Sequence, residues 1–276
     1  MAPTVSLIIP AYNCAETLER AVLSGLKQSA LEAIIIVDDC SSDGSCTIAN
    51  KLAASDKRIL ATQTQHNSGP GAARNLGVTL ARSDYLSFLD ADDEFIDDYF
   101  PEAISLIKAN PGMHSVKPAE EFIDPTKGYV LPVLDPRYSS AVLSSVHGLI
   151  IERTVFDAIG GFPEDSAFRG PFGGEDVAFM QALMEHFQPI GKIDRPVYRV
   201  WSKAGTHVDK FLSNTRLTKN SFEFVQLHPD QQLGSILSAA LGSYQESISQ
   251  LLNKRDSQGA SEQSITSPFD PDRHNN

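Results

Sequence analysis

Five acids fall within eight residues, Asp90-Ala91-Asp92-Asp93-Glu94-Phe95-Ile96-Asp97, directly after the apolar run Tyr85-Leu86-Ser87-Phe88-Leu89. Like charges at this density repel unless a cation or solvent relieves them. Mg2+ and Mn2+ take oxygen ligands and bind through one or two carboxylates together with phosphate oxygens, so the cluster suits a metal-bridged diphosphate. The other reading is an acid-rich turn capping a helix that begins near Asp97 or Asp98 and buries Phe100, Ile104 and Ile107. That reading accounts for Asp97 and Asp98, whereas Asp90 and Asp92 stand too far ahead of the helix. A calcium loop fits worse: Phe95 sits where the sharp-turn glycine belongs, and Pro101 where the bidentate glutamate belongs.

A second acidic pair, Glu175-Asp176, follows Gly173-Gly174 and opens a helical pattern with Val177, Met180, Leu183 and Phe187 on one face. The pair could cap that helix or supply a base. A helix start lowers the pKa of Asp176, Glu175 and a bound diphosphate raise it, and the balance is open at this level.

The elements that must position these acids are legible as alternation. Apolar runs at 7–10, 34–39, 58–60 and 85–90 alternate with helical patterns, including Leu18, Val22 and Leu26 on one face and Ala72, Ala73, Leu76 and Leu80 on another. This predicts β-α units on a mainly parallel sheet with three crossovers. Ligands of such sheets bind beyond the carboxyl ends of the strands. Here those ends read Pro10-Ala11-Tyr12-Asn13, Asp38-Asp39-Cys40-Ser41 and Asp90-Ala91-Asp92-Asp93. Pro10 and Tyr12 therefore belong to the expected ligand-binding rim.

The expected divisions are 1–110, a ligand-binding half; 111–204, an acceptor-side half broken by Pro and Gly; 205–255, a helical extension; and 256–276, a disordered tail. The helix is read from Leu233, Ile236, Leu237, Ala240, Tyr244, Ile248 and Leu251. Its apolar face packs on its own domain or joins a second copy as a homodimer. A net charge of -12 over 276 residues argues against nucleic acid as a partner, since phosphate contacts need clustered Lys and Arg. The start Met1 to Asn13 reads as a first strand instead of a signal peptide, and no apolar run reaches the ~18 residues of a membrane span. Three cysteines without ligand spacing point to reduced thiols and a cytoplasmic protein.

Five segments together resemble the family 2 glycosyltransferases: Val5 to Asn13, Ile34 to Ser45, Asn67 to Val78, Tyr85 to Phe95, and Gly173 to Phe179 preceded by Gly160-Gly161-Phe162-Pro163-Glu164. The resemblance covers residues 4–204, with the motifs in the family's order. It implies a GT-A fold, that is, an α/β, Rossmann-like sheet flanked by helices, with a C-terminal helical extension here. It also implies a nucleotide-diphosphate sugar donor, UDP-linked in the first instance, and Mn2+ or Mg2+. By the same resemblance Tyr12 flanks the base, Asp39 pairs with the pyrimidine edge and Arg74 lies near the nucleotide. Asp90 and Asp92 match the metal-binding DxD acids, with Asp93 an alternative because the register within DADD is ambiguous. Asp176 matches the general base, and His207 falls where some members place a further metal ligand.

The residue types suit these roles. Tyrosine offers a flat apolar face, and Gly69 and Gly71 let backbone approach a ligand. Simpler roles stay open: strand-end packing for Tyr12, an Asx-type turn for Asp39, a surface ion pair for Arg74, a solvated or structural His207. The expected reaction is inverting transfer of one sugar to a hydroxyl of a glycan, lipid-linked or small-molecule acceptor. The QxxRW segment of processive relatives is missing, which favours single transfer. An inactive sugar-nucleotide sensor or scaffold is the alternative. A dinucleotide-binding turn is excluded because Arg74 replaces the third glycine of Gly69-Pro70-Gly71 and the loop follows the third strand, not the first. A nucleotidyltransferase would need a glycine-rich, basic loop after the first strand, and none is there.

Overall fold

The computed structural model describes residues 2–169, 173–219, 221–225 and 231–263; the side chains of 207, 224, 231–235 and 256–263 fall outside that description. In chain order the elements are β1 Val5–Ala11, α1 Leu18–Gly25, β2 Leu31–Asp38, α2 Ser45–Ser55, β3 Ile59–Gln63, α3 Pro70–Leu80 and β4 Tyr85–Phe88. Then follow β5 Glu94–Phe95, α4 Phe100–Ala109, β6 Ser115–Asp124, β7 Gly128–Tyr129, α5 Tyr138–Leu143, β8 Ile150–Glu152, α6 Arg153–Ile159, α7 Glu175–His186 and β9 Ile190–Trp201. The chain continues with α8 His207–Ser213, the small hairpin β10 Thr215–Leu217 and β11 Phe222–Phe224, and α9 Gln231–Gln263.

The main sheet runs β3-β2-β1-β4-β8-β6-β9-β5, with β7 added to β6. Strands β1 to β4 are parallel neighbours, as the alternation predicts. The other half is mixed, because β8 enters antiparallel to both β4 and β6 while β6 and β9 run parallel. Strands β1 and β2 are continuous apolar runs because both faces are covered. Leu7, Ile9, Ile34 and Ile36 pack with α1, α2 and α4 on one face. Ile8, Ile35 and Val37 pack with α3, α6, α7 and α9 on the other.

Three helix readings change. Helix α3 buries Gly71, Ala73, Arg74, Gly77 and Val78, while Leu80 stays exposed. The cause is glycine: a Cβ at Gly77 would lie 2.6 Å from Ile8 Cγ2, so the helix backbone lies directly on the sheet. Helix α4 starts at Phe100 with no side-chain cap. Asp97 instead pairs with Arg195, and Asp98 accepts from the Ser29 amide. Helix α7 buries Ala178, Phe179, Met180, Ala182 and Leu183, a face shifted from the one its spacing suggests.

Helix α9 packs on its own chain: Ile248 is fully buried and the Tyr244 hydroxyl donates to the Gly161 carbonyl at 2.6 Å. It runs to Gln263, past residue 256 where the tail was expected. Between Asp256 and Gln263 the residue most unfavourable to helix is Gly259, at about 1 kcal/mol, and no proline interrupts. Residues 264–276 lie outside the described residues. No helix among those described is long and apolar enough to cross a membrane.

Candidate functional site

The carboxyl ends of β1, β2 and β4 form one rim, and three loops meet there. Tyr12 follows β1 with half its surface exposed. Pro10 is partly buried within β1 and pairs in register with Val37. Asp39 is buried, and its carboxylate accepts from Thr64 Oγ1 at 2.7 Å, Ser68 N at 2.8 Å and Gly69 N at 2.7 Å. It therefore fastens the loop that leads into α3. Asn13 and Cys40 hold positive φ of 49° and 62° on this rim, and Asn13 Oδ1 accepts from the Ser42 amide. Left-handed backbone at a non-glycine residue stores about 1 kcal/mol or more, which these loop contacts must hold in place.

Arg74 joins the two acidic segments. Its side chain is 2% exposed and donates to Asp90 at 2.8 Å, Glu175 at 3.1 Å and Asp176 at 2.7 Å. The surface ion pair is thus replaced by a buried centre. Glycine again permits it: a Cβ at Gly71 would stand 3.0 Å from Pro163 O and 3.3 Å from Glu175 Cγ, so the start of α7 lies hard against α3. Gly69 takes φ of 85° and serves Asp39 through its amide.

The acids around Arg74 divide electrostatically. Burial is the largest influence on Asp176 and raises its carboxyl to about 6; Arg74 opposes this, while Glu175 and Asp90 add to it. The open balance at this residue is decided by burial, which spacing does not reveal. Burial also disfavours charge on Asp90, but Arg74 and then His147 outweigh it and hold this carboxyl well below the ordinary range. Asp93, 3% exposed, is pushed well above that range by burial and by its acidic neighbours. Asp92 is raised by burial and by the charge on Asp90.

Asp90, Asp93 and His147 bring their ligand atoms within 4.8 Å of one another. Asp92 is outside that trio, and the His207 side chain lies outside the described residues. The donor set of two carboxylates and an imidazole fits a divalent cation, and so does the upward shift at Asp93, because a bound cation would relieve the crowding of three acids in one turn. The turn is held firmly. Trp201 N donates to Asp93 Oδ1 at 2.9 Å, Tyr198 donates its hydroxyl to Asp93 Oδ2 at 3.2 Å, and Asp90 N donates to the same hydroxyl at 3.1 Å. Arg20 stacks on Trp201 at 5.0 Å and donates to the Asp92 carbonyl.

His147, Glu120 and Tyr198 carry no local motif. His147 precedes β8, and the register that pairs Tyr85 with Glu152 and Leu86 with Ile151, continued beyond the ladder, sets His147 opposite Asp90. A histidine three residues ahead of an antiparallel strand beside β4 is the signal, and it needs the strand order to be visible.

A mixed sheet between helical layers, with acids and glycine-held loops at its parallel carboxyl rim, defines a GT-A-type fold. The glycosyl transferase family 2 model matches residues 6–134 of the chain. An uncharacterized glycosyltransferase of Haemophilus influenzae is 38% identical over 109 residues, covering 39% of this chain and 44% of the relative. The succinoglycan biosynthesis protein ExoU of Rhizobium meliloti is 29% identical over 188 residues, covering 66% of this chain and 49% of the relative. The Escherichia coli UDP-Glc:alpha-D-GlcNAc-diphosphoundecaprenol beta-1,3-glucosyltransferase WfaP is 40% identical over 93 residues, covering 33% of this chain and 36% of the relative. The chain thus spans less than half the length of each of these relatives. The structure of S. aureus TarS 1-349 in complex with UDP-GlcNAc shares the fold with a TM-score of 0.60 at 17% identity, covering 90% of this chain and 70% of that one.

Proposed function

We propose that this protein is an inverting, non-processive, metal-dependent glycosyltransferase that moves one sugar from a UDP-linked donor to an acceptor hydroxyl. The observation that carries this is Arg74: one buried guanidinium holds the metal-side acid Asp90 and the base candidate Asp176 together. A donor diphosphate at Asp90 and an acceptor at Asp176 would then lie beside the same guanidinium, a proximity that favours an in-line displacement. The family 2 match and a UDP-sugar complex of the fold relative TarS support the donor class.

Asp90 and Asp93, with His147 beside them, would hold the cation, and Tyr12 offers its exposed ring to the base. When bound, the cation supplies Lewis-acid stabilisation of the departing diphosphate. Asp176 takes the acceptor proton on a carboxylate oxygen, and its carboxyl near 6 makes it a stronger base than an ordinary aspartate while leaving it ionised at neutral pH. The hydroxyl attacks opposite the diphosphate, so the anomeric configuration inverts.

The test is UDP release from a panel of UDP-sugars and simple hydroxyl acceptors, with Mn2+ and with EDTA, followed by stereochemical analysis of the product. Turnover that needs Mn2+ and inverts the anomeric centre is expected. Tight UDP binding with no turnover on any acceptor would instead favour a sugar-nucleotide sensor, and turnover indifferent to EDTA would overturn the metal.

A further inference from the structure

Behind His147 lies a buried ion pair that the proposed reaction leaves unused. Lys117 and Glu120, on β6, have side chains 1% and 0% exposed and meet at 2.5 Å. Burying such a pair costs desolvation that its own attraction repays poorly, so stability alone is weak reason for it. Its contacts point elsewhere. Glu120 Oε2 lies 3.2 Å from His147 Nδ1, while Oε1 takes the lysine. Lys117 also donates to the His147 carbonyl at 2.5 Å and to Ser145 Oγ at 3.3 Å. Both the ring and the backbone of His147 are therefore tied to this one pair. The ring also stacks on Tyr198, with centroids 5.2 Å apart and planes 5° apart. Its remaining nitrogen, Nε2, lies 3.4 Å from Asp90 Oδ2.

We propose that Glu120, anchored by Lys117, is the residue that makes His147 a metal ligand: it accepts Nδ1–H and turns the Nε2 lone pair to the cation between Asp90 and Asp93. This rests on the reading that the acidic turn holds a divalent cation. Both ring nitrogens face a carboxylate: Nδ1, 3.2 Å from Glu120 and turned away from the acidic turn, keeps its proton, while Nε2, 3.4 Å from Asp90, would release its proton to solvent as a cation enters and then ligate it. Lys117 keeps Glu120 from being a lone buried anion and fixes where its second oxygen points. Glu120 touches no reacting atom in this arrangement; it is a positioning residue acting through His147.

The experiment measures Mn2+ binding in the presence of UDP, from the loss of the free-Mn2+ EPR signal, together with pulsed EPR on protein labelled with 15N-histidine. Wild type is expected to bind Mn2+ and to show hyperfine coupling to one histidine nitrogen. His147→Gln should lose that coupling, while His207→Gln should keep it. Glu120→Gln should lower Mn2+ affinity ten- to a hundredfold, the usual loss for a ligand's carboxylate partner, and weaken the coupling. The double variant Lys117→Met/Glu120→Gln, which leaves no unpaired buried charge, should show the same loss with a normal circular dichroism spectrum. Retention of Mn2+ affinity by Asp90→Asn would overturn the cation site itself. Loss in Asp90→Asn with full affinity in both Glu120 variants, or a wild-type complex without histidine coupling, would overturn only the role given to Glu120 and His147.

Discussion

Replacing Asp176 with Asn should stabilise the protein at neutral pH while abolishing transfer. The side chain is 17% exposed, and burial lifts its carboxyl from 3.8 to about 6. A carboxyl raised in the folded state contributes stability that is full below 3.8 and lost as pH rises through about 6. The gap of roughly two pH units, at about 1.4 kcal/mol each, means that the ionised residue costs the fold about 3 kcal/mol at pH 7.5. Asparagine keeps an oxygen for Arg74 and removes the charge, and Arg74 retains Asp90 and Glu175. Urea unfolding at pH 7.5, 6 and 5 should therefore show the variant more stable than wild type, with the advantage shrinking as pH falls and Asp176 of the wild type takes up its proton. UDP release should be absent throughout. A variant less stable than wild type by the same margin at all three pH values would mean that attraction to Arg74 outweighs burial. A variant with normal turnover would remove Asp176 from the reaction.

The same carboxyl predicts that kcat/KM of the wild type falls about tenfold per pH unit below about 6, read from initial rates between pH 5 and 8. Arg74→Met leaves three carboxylates without their shared cation, so unfolding should show a loss of about 3–5 kcal/mol at pH 7.5, diminishing at acid pH as these groups protonate. Gly77→Ala places a Cβ 2.6 Å from Ile8 and 3.2 Å from Val37, lifting α3 from the sheet at about 1–3 kcal/mol, with UDP release falling because Arg74 moves too. A melting temperature unchanged from wild type would show that the helix does not lie as close as described.

Much of the first hundred residues is legible because each apolar run carries its own signal: Leu7 to Ile9 and Ile34 to Val37 are buried whatever their neighbours, so strand, helix and strand can be read in order. The acids of 90–93 are likewise visible as a local density of charge. Arg74 is harder, since one arginine among small residues looks the same on a surface as in a core. The cue lies in Gly71 and Gly77, whose spacing around it allows close approach of the helix. His147 and the Lys117–Glu120 pair are invisible locally, because each gains meaning from a residue 27 or more positions away or from a strand order that periodicity cannot supply.

By itself, the sequence determined the parallel β-α half, the rim on which Tyr12, Asp39 and Asp90 sit, and the presence of an acidic turn and of a later acid at a helix start. Those depend on residue type and near spacing. Only the tertiary structure decided which acids converge, that Asp93 and His147 bring their ligand atoms close to Asp90, and that burial is the largest influence on Asp176. Convergence and desolvation are properties of distance and exclusion of water, and both arise when the antiparallel strand β8 is inserted beside β4 and helix α7 closes against α3.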